Sequence, residues 1–599
     1  MRSGTADAMT GLRNRLSRLL PLSRKIAGNE QLILSILALA VGAAGGGAVI
    51  LFRQGIAQAQ NLFYGSTGER LFFYAQTLPW WQILLAPTLG GLLIGMLVHY
   101  FLPDRRPHGV ADIIEASALG GGRMSATTAI KAAVINAVSI GAGASVGREG
   151  PAVHIGATLG GWLAKRLRLT RALSRTLLGC GVACAVAASF NAPIAGALFA
   201  SEVVVGHYAL SAFAPIVISS VTGTAISNAY FGDFPAFIVA EHSIASFWEF
   251  PVFAGLGLLA GLVAMALMQG IVLAADVAGR TPLPPWIRPA AGGAMVGILA
   301  LMVPQVLGVG YGVTEAALQV SFSLALLIAI GAAKIVATAI SLGFGFGGGV
   351  FSPSLVIGAM LGGAYGIVVA SLSPELTSGP GAYTIVGMGA VAAAVLGAPI
   401  STTLIVFEMT GGYAITMAVM VAVVFASLIT SRFHGGSFFA WQLERRGLDL
   451  KGGFESALLR ALSVRQVMSQ VSELVTRDIG LRDLREMLQQ SERGELFVVR
   501  GNGELFGTIT LADLSEVAFD PAVDDLIKAG DVARTRPPVL SAGDDLEAAM
   551  KLMHETGESF IAVVEDKESM LFLGSVHERD VMSAYNRALV ERRREELGG

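Results

Sequence analysis

The chain has 599 residues, of which 53% are hydrophobic and only 14% are charged, and its mean hydropathy is +0.63. Roughly a quarter of the residues of an ordinary soluble protein are charged, so this composition excludes a soluble globular protein. The formal net charge of -2 averages unlike regions and indicates no class of partner. Apolar runs long enough to cross a bilayer recur from about residue 31 to about residue 433, which predicts a polytopic helical membrane protein.

The first segment, residues 1–29, carries the basic cluster LRNRLSRLLPLSRK just before the first long apolar run. Positive charge beside a membrane helix favours the cytoplasmic side, so we expect a cytoplasmic amino terminus. A cleaved signal peptide is disfavoured, because the first apolar run starts late, is long and is followed by others. Cys180 and Cys184 are one helical turn apart in an apolar run, which predicts packing residues rather than a disulfide or a metal site.

The membrane part of the chain contains an internal repeat. GREGPAVHIGATLGG at 147–161 parallels GVFSPSLVIGAMLGG at 349–363, and APIAGALFASEVVVG at 192–206 parallels APISTTLIVFEMTGG at 398–412. The repeat predicts a bundle built from two halves. Such repeats often run in inverted topology, with the substrate site near the bilayer midplane, where broken helices of the two halves meet.

Pro151 and Pro353 each follow a glycine-rich run and precede a helical apolar pattern. A proline is well tolerated at the first helical position, so each predicts a helix that begins there, inside the membrane. The first backbone N–H groups of such a helix have no internal partner, and its amino end carries a partial positive charge. Two such ends predict an anion site made of amides without a lysine, with ordinary packing of small residues as the alternative.

Glu149 lies in the first of these glycine-rich stretches. An intramembrane carboxylate is a functional candidate, because burying it unpaired costs free energy. We expect the ionised carboxylate to occupy the place of the anion and the protonated one to leave it, so that Glu149 acts as a gate. The alternative is a structural ion pair with Arg148, which we disfavour because adjacent side chains are expected to point in different directions.

Four motifs, GREGP at 147–151, FNAPIAG at 190–196, GGVFSP at 348–353 and FEMTGGY at 407–413, together resemble the CLC family of chloride channels and proton-coupled chloride transporters. The resemblance covers nearly the whole chain. It implies an all-α polytopic membrane protein with an inverted internal repeat, the CLC fold, assembled as a homodimer with one pore in each subunit. It also implies that Glu149 is the gating glutamate and that chloride and related small anions are transported. The anion-binding candidates are His108, Gly109, Val110, Gly147, Arg148, Gly150, Gly349, Val350, Phe351 and Phe439.

Two positions depart from the family pattern. His108, in RPHGVAD at 106–112, stands where many members supply a serine hydroxyl to the central anion, and Phe439 stands at the position of a tyrosine hydroxyl. The imidazole of His108 either donates to the anion or turns away and leaves the amides of Gly109 and Val110 to bind it. Without the second hydroxyl we expect the anion to be held less tightly and its selectivity to differ.

Val203 bears on proton coupling. Proton-coupled members carry a second glutamate at this position, directly after the one that matches Glu202. Valine cannot relay a proton, so we expect a passive channel gated by Glu149; the alternative is a proton–chloride antiporter that uses water or another residue. A fluoride exporter is disfavoured, since those are short chains without such a tail. Glu202 and its repeat counterpart Glu408 are expected to be structural acids near helix ends.

The tail alternates short apolar strands with charged helices, and its two units resemble paired CBS domains. The matching pieces are TITLAD at 508–513 and SVHERD at 575–580, each with an acid at the expected start of a helix. The resemblance implies an α/β tandem module that binds an adenine nucleotide, and an unliganded dimerisation module is the alternative. A further hypothesis is that the chain is chiefly a nucleotide sensor to which the membrane part responds. The nucleotide-binding candidates are Thr510, Asp513, His577 and Asp580.

The composition change near residue 445 separates the membrane part from the tail. The predicted domains are an amino-terminal segment at 1–29, a transmembrane domain at 30–450 with halves at about 30–230 and 245–450, a linker at 451–462, a first CBS unit at 463–522, and a second CBS unit with the carboxyl-terminal tail at 523–599.

The sequence has no zinc-ligand spacing, no nucleophile with a partnered base and no nucleic-acid-binding patch, and GFGFGGG at 343–349 lacks the lysine of a phosphate-binding loop. We therefore expect no enzyme activity, no metal site and no required cofactor. The expected partners are small anions, protons in the antiport alternative, the lipid bilayer and a second copy of the chain. The expected location is the plasma (inner) membrane, with the amino terminus and the tail in the cytoplasm.

Overall fold

The computed structural model divides into two compact units, a membrane unit that ends at Gly447 and a tail unit that begins at Leu448. The amino-terminal segment and most of the predicted linker lie outside the part of the chain that it describes. The described residues are 30–68, 70–119, 121–206, 210–233, 237, 244–374, 377–446, 448, 459, 462–470, 472–491, 493–514, 524 and 526–597.

The membrane unit is helical. Its α-helices, in chain order, are α1 (Glu30–Tyr64), α2 (Leu71–Ala75), α3 (Trp80–Phe101), α4 (Val110–Ala118), α5 (Ala126–Gly141), α6 (Glu149–Arg166), α7 (Arg171–Phe190), α8 (Pro193–Phe199), α9 (Leu210–Phe231), α10 (Phe250–Arg280), α11 (Arg288–Met302), α12 (Tyr311–Leu318), α13 (Leu324–Gly343), α14 (Phe351–Leu372), α15 (Pro380–Leu396), α16 (Pro399–Thr410), α17 (Tyr413–His434) and α18 (Phe438–Glu444). A π-helical segment, Ala200–Val205, extends α8, and two short 3₁₀ helices lie at Phe247–Glu249 and Pro304–Val306.

Eight of the helices in the described part of the chain are long and apolar enough to cross a membrane: α1, α3, α7, α9, α10, α13, α14 and α17. Large apolar side chains such as Leu51, Leu273 and Val424 are exposed on their surfaces. An extended exposed apolar surface marks a membrane-facing or partner-facing region rather than a soluble surface. These helices confirm the predicted polytopic helical membrane protein.

The predicted repeat is visible in how equivalent helices pack. Helix α6 crosses α7 through Gly156 and Gly181, and α14 crosses α15 through Gly358 and Gly387, at matching places in the two halves. A Cβ atom built on Gly156 would lie 2.2 Å from the carbonyl oxygen of Gly181, and one built on Gly358 would lie 2.3 Å from that of Gly387. No larger side chain fits such a crossing without moving a backbone, so these glycines set the separation of the helix pairs.

Glu202 and Glu408 cap helices of opposite halves. The carboxylate of Glu408 accepts the amides of Ile194 and Ala195, at 2.9 and 2.7 Å, at the start of α8. The carboxylate of Glu202 accepts the equivalent two amides at the start of α16, at 3.0 and 2.8 Å. Each acid therefore binds amides that have no partner within their own helix, which confirms the prediction that both are structural acids near helix ends.

Cys180 and Cys184 are fully buried thiols in α7. A Cβ atom built on Gly45 of α1 would lie 2.3 Å from the sulfur of Cys184, and the Cys184 thiol donates to the carbonyl of Gly42 at 3.6 Å. Both cysteines are thus packing residues between helices, as predicted.

The tail unit contains two small sheets. Its elements are α19 (Val464–Val467), β1 (Leu474–Thr476), α20 (Leu481–Gln490), β2 (Glu495–Val499), β3 (Leu505–Thr510), α21 (Ala529–Val532), β4 (Arg534–Thr535), β5 (Val539–Ser541), α22 (Leu546–Thr556), β6 (Phe560–Val564), β7 (Phe572–His577) and α23 (Glu578–Leu597). The first sheet has the order β1-β2-β3-β4 and the second the order β5-β6-β7. In each, a parallel pair (β1 with β2, β5 with β6) is followed by an antiparallel hairpin (β2 with β3, β6 with β7).

The two hairpins repeat each other, as the sequence predicted, and they pack together. The amide of Leu505 donates to the carbonyl of Met570 at 2.8 Å, and Phe497, Leu505, Ala562 and Val564 form a shared apolar cluster. The helix predicted to open at Asp580 is α23, whereas the one expected after Asp513 falls on residues outside the described part of the chain.

Candidate functional site

The starts of α6 and α14 meet inside the membrane unit. The amide of Gly147 donates to the carbonyl of Gly349 at 2.7 Å, and the amide of Gly349 donates back to the carbonyl of Gly147 at 2.8 Å. This antiparallel bridge joins the two glycine-rich segments just before their helices begin. It brings together the helix starts that the sequence predicted to converge, one from each half.

The prediction that each proline is the first helical residue is wrong by two positions. Helix α6 begins at Glu149 and α14 at Phe351, so Pro151 and Pro353 are the third residues of their helices. The first four N–H groups of a helix have no partner within it, so a proline anywhere in the first turn removes no helical hydrogen bond. The amides immediately before each proline therefore belong to the open end of the helix.

Glu149 is held by two hydroxyl groups. Its side chain is buried, with only 1% of the residue exposed. The hydroxyl of Tyr311 donates to Oε1 at 2.6 Å, and the hydroxyl of Ser352 donates to Oε2 at 2.5 Å. Hydrogen bonds of this length are typical of an ionised acceptor. Each carboxylate oxygen thus accepts one hydroxyl group at the meeting point of the two halves.

Arg148 lies beside this carboxylate. Its Nε is 3.9 Å from Oε1 of Glu149, and its guanidinium carbon is 4.4 Å from the centroid of the Tyr311 ring. The prediction that these adjacent side chains point in different directions is therefore wrong, because both approach the same tyrosine. Their direct contact is at the outer limit of an ion pair, and the short hydrogen bonds to Glu149 come from the hydroxyls.

A cavity of about 300 Å³, cavity B, opens beside Glu149. Its lining brings together Glu149 and eight of the ten predicted anion-binding residues. These are His108, Gly109, Val110, Gly150, Gly349, Val350, Phe351 and Phe439. Residues 109 and 439, more than 300 positions apart in sequence, thus line the same cavity. Gly147 does not line this cavity, and Arg148 lines a different one.

The backbone amides around cavity B differ in whether their N–H groups already donate to an acceptor in the protein. The amides of Gly147 and Gly349 bind each other's carbonyls, and the amide of Gly109 donates to the Asp112 carboxylate at 2.7 Å. Within the described residues, the amides of Val350 and Phe351 have no hydrogen-bond partner; they lie at the open end of α14. The amides of Val110 and Gly150, in the first turns of α4 and α6, also have no acceptor among the described residues. A small anion in cavity B therefore finds its backbone donors at these four helix-start amides.

His108 and Phe439 contribute no hydroxyl to cavity B. Nδ1 of His108 is 3.9 Å from the Asp112 carboxylate, and Nε2 is 3.8 Å from that of Asp104. The ring centroid of His108 is 5.7 Å from that of His154. Phe439 is buried beside Phe438, at 6.1 Å between ring centroids. The imidazole is thus a potential N–H donor, whereas the phenyl ring offers only an apolar wall.

A second cavity of about 300 Å³, cavity A, is lined by Arg53, Gln60, Arg148 and Tyr311 among others. No carboxylate lines it in the described part of the chain. Cavities A and B share no lining residue, yet Tyr311 of cavity A hydrogen-bonds to Glu149 of cavity B. The carboxylate and its hydroxyl donors therefore lie between a basic cavity and the amide-lined one.

Cavity B has basic residues at α18. Arg445 and Arg446 line it, and Nη1 of Arg446 lies 3.1 Å from oxygens of both Asp112 and Glu115. Nη1 of Arg106 also pairs with Asp112, at 2.6 Å. Two arginines thus offset the negative charge of Asp112 beside an otherwise anion-attracting cavity.

Sequence reasoning missed both hydroxyls that hold Glu149. Ser352 lies within the GGVFSP motif, so a hydroxyl in the first turn of a helix start was a usable signal. Tyr311 is 162 positions from Glu149, in no motif that links the two, and only the fold reveals the contact.

In the tail, the predicted nucleotide ligands already have protein partners. Asp513 accepts the amide and hydroxyl of Thr510, at 2.8 and 2.7 Å, and Nε of Arg534 at 2.6 Å. Burial opposes ionisation of this carboxyl, but the hydrogen bonds from Arg534 and Thr510 outweigh burial and lower the pKa of Asp513.

The second pair of tail candidates has a similar environment. Nη1 of Arg493 lies 3.3 Å from the Asp580 carboxylate and 2.6 Å from Nδ1 of His577. Nε2 of His577 is 2.7 Å from the buried Glu495 carboxylate. Each candidate acid thus has an arginine beside it. Among the residues that the structure describes, no cluster of three or more His, Cys, Asp or Glu side chains could hold a metal ion.

Comparisons with known proteins identify the family of the chain. The family model "Voltage gated chloride channel" matches residues 90–431, and the CBS domain model matches 464–520 and 529–587. A relative from Ralstonia nicotianae, "Putative chloride channel protein ClcB-like", is 37% identical over 413 residues, which cover 68% of this chain and 96% of the relative.

Two solved structures share the fold. A slow cyanobacterial Cl-/H+ antiporter superposes with a TM-score of 0.62 at 23% identity, covering 69% of this chain and 97% of the other. A eukaryotic CLC transporter superposes with a TM-score of 0.61 at 18% identity, covering 91% and 97%. With a family match that spans more than half of its length, the chain belongs to the voltage gated chloride channel family, known as CLC, and carries a pair of CBS domains after its membrane unit.

Proposed function

We propose that the protein conducts chloride and related small anions passively along a pathway that runs past Glu149, and that this carboxylate is the gate. The observation that carries the proposal is the place of Glu149: it is buried between two cavities, at the convergence of two helix starts. In the proposed pathway, an anion that passes from one cavity to the other displaces this carboxylate.

The proposed mechanism is competition between two anions for one place. The amides of Val350 and Phe351 and the positive ends of α6 and α14 attract negative charge. When ionised, Glu149 supplies that charge from within the protein and closes the path. When protonated, it is attracted less, leaves its hydroxyl partners and admits a mobile anion. Flux is therefore expected to rise as pH falls.

Val203 supports the passive channel. It lies in the π-helical segment after α8, packs against the main apolar core and has no titratable atom. A proton therefore cannot be handed to the gate from this position.

The antiport alternative has its own supporting observation. A third cavity, cavity C, of about 520 Å³ is lined by five carboxylate or imidazole side chains: Asp104, His108, Asp112, Glu115 and His154. His108 and Asp112 also line cavity B, so groups able to carry a proton extend to the cavity that contains Glu149. The fold does not discriminate between the two modes, because a Cl-/H+ antiporter shares it.

Reversal potential separates the channel from the antiporter. The purified protein is placed in a planar bilayer under a chloride gradient, and a proton gradient is then imposed in the opposite direction. A passive channel keeps the chloride Nernst potential, about 59 mV for a tenfold gradient of a monovalent ion. A reversal potential that moves with the proton gradient would overturn the passive mode and favour antiport through cavity C.

We also propose the quaternary and cellular setting that the family implies. The functional unit is a homodimer in the plasma (inner) membrane, with residues 1–29 and the two CBS units, 463–522 and 523–599, in the cytoplasm. Cross-linking in membranes tests the dimer, and protease accessibility in sealed vesicles of known orientation tests the sidedness of the tail.

For the tail we propose an adenine nucleotide ligand. Because Asp513 is paired with Arg534 and Asp580 with Arg493, a nucleotide has to compete for these acids or bind its phosphates to the arginines. Titration of the full chain with ATP and AMP, compared with an Asp513→Ala variant, tests the site. If the chain is chiefly a sensor, truncation after about residue 460 abolishes regulation and leaves conduction.

A further inference from the structure

We propose that the hydroxyls of Tyr311 and Ser352, the hydroxyl pair, are anion ligands: they bind the Glu149 carboxylate in the closed state and a permeating halide when that carboxylate leaves. The inference deepens the proposed function and rests on it. It assigns the hydrogen-bonding groups that make halide and carboxylate interchangeable at this point of the pathway.

The hydroxyl pair is directed at a single acceptor. The two donors reach different oxygens of Glu149, at 2.6 and 2.5 Å, so neither competes with the other. They come from separate elements, Tyr311 from the first residue of α12 and Ser352 from the second residue of α14. A halide at the position of the carboxylate is within reach of both O–H groups.

Packing keeps Tyr311 in place when Glu149 moves. Its ring lies 4.9 Å from that of Phe237, and the Arg148 guanidinium covers it. The segment that leads into α12 is anchored by the fully buried Lys334, whose Nζ donates to the carbonyls of Val306 and Gly308 at 3.0 and 2.8 Å. Tyr311 itself is only 6% exposed.

Ser352 is equally fixed. It is 3% exposed and lies in the first turn of a helix whose start is tied to Gly147 through the Gly349 bridge. Both hydroxyls are therefore preorganised donors in a site of low dielectric constant. A halide at the vacated position would accept the hydrogen bonds that the two hydroxyls now donate to the carboxylate.

The hydroxyl pair also explains how the chain tolerates His108 and Phe439 at cavity B. Neither of these side chains supplies a hydroxyl to the wall they form. The structure instead carries two hydroxyls that donate to Glu149, which lines the same cavity. The hydroxyl pair therefore offers a permeating halide the O–H donors that His108 and Phe439 do not supply.

The first experiment measures halide binding with the carboxylate removed. Bromide affinity of purified Glu149→Ala protein is compared with that of Glu149→Ala/Tyr311→Phe and Glu149→Ala/Ser352→Ala by titration calorimetry. Each second change is expected to weaken binding about tenfold, the loss of one hydrogen bond to a charged group. Ser352→Thr, which keeps a hydroxyl, is expected to retain affinity.

The second experiment measures the gate with the carboxylate present. Removing a donor to the carboxylate weakens the closed state, so flux through Tyr311→Phe or Ser352→Ala protein is expected to begin at a higher pH than in wild type. Tyr365→Phe is the matched control, because that hydroxyl donates to the carbonyl of Val252, away from cavities A and B. A lowered thermal unfolding midpoint would identify a variant that is misfolded. In that case the remaining variant of the two, Tyr311→Phe or Ser352→Ala, tests the role of the hydroxyl pair.

The outcomes separate this inference from the proposed function. Unchanged bromide affinity in both double variants, together with unchanged pH midpoints, would overturn the role of the hydroxyl pair. If Glu149→Gln still abolishes the pH dependence in the same assays, the gate survives that result. If Glu149→Gln conducts and titrates like the wild type, the gate itself is refuted.

Discussion

Replacement of Glu149 by glutamine tests the gate most directly, because the side chain keeps its shape and loses its charge. A glutamine can keep one hydrogen bond to each of Tyr311 and Ser352, but neutral hydrogen bonds are roughly half as strong as charge-assisted ones. With about 1.5–3 kcal/mol for each charged hydrogen bond, halving two of them weakens the closed state by about 1.5–3 kcal/mol. The displaced side chain then becomes about 10- to 150-fold more populated.

The assay is chloride efflux from proteoliposomes between pH 4.5 and 8. The Glu149→Gln protein is expected to conduct at least about tenfold faster than wild type at neutral pH and to lose acid activation. Glu202→Gln is the matched control, since it removes a half-buried carboxylate that caps α16 and lines neither cavity; it is expected to keep acid activation. Efflux through Glu149→Gln that stays slow at neutral pH and still rises in acid would refute the reasoning.

Three further predictions concern stability. Glu408→Gln leaves one amide of α8 facing an NH₂ group instead of an oxygen, so we expect a loss of about 1.5–3 kcal/mol and a lower thermal midpoint in detergent. Gly358→Ala places a methyl group 2.3 Å from the carbonyl oxygen of Gly387 and forces the two helices apart. This change is expected to cost about 1–3 kcal/mol of stability and to reduce the yield of monodisperse protein. Gly279→Ala is the control, because a Cβ atom at this exposed glycine meets nothing within 4 Å, and it is expected to leave the yield unchanged. Because the pKa of Asp513 is lowered, its pairing with Arg534 stabilises the fold at pH values above the ordinary carboxyl pKa, and this stabilisation is lost as pH falls through the lowered value. The free energy of unfolding of the tail unit, measured with denaturant between pH 7 and 3, is expected to show this loss in wild type and not in Asp513→Asn.

Much of the membrane unit could be predicted because its signals are local. The glycine-proline stretches at 147–151 and 349–353 mark helix starts within a few residues, and their similarity alone predicts that they are equivalent parts of two halves. The reciprocal caps of Glu202 and Glu408 follow from the same repeat. These features depend on neighbouring residues and on backbone chemistry, which a single sequence displays.

What could not be predicted depends on contacts across the fold. The Tyr311 hydroxyl reaches Glu149 only because α12 packs beside the start of α6, and no periodicity encodes that approach. The candidate amides of Gly147, Gly349 and Gly109 were reasonable from sequence, but the fold gives each a carbonyl or carboxylate partner. The prolines were predicted at the first helical position but lie at the third, because a proline anywhere in the first turn of a helix removes no helical hydrogen bond.

The bridge between Gly147 and Gly349 limits how this protein can move. In a transporter that works by rigid-body rocking, the halves part on one side of the substrate and close on the other. In this protein, moving the two halves apart would break the two main-chain hydrogen bonds between Gly147 and Gly349, beside the proposed anion site. In the bilayer interior, each N–H or C=O group left without a partner raises the free energy by several kcal/mol. Separation of the two halves at this bridge is therefore disfavoured. In the proposed mechanism, the movement that opens the path is a rotation of the Glu149 side chain.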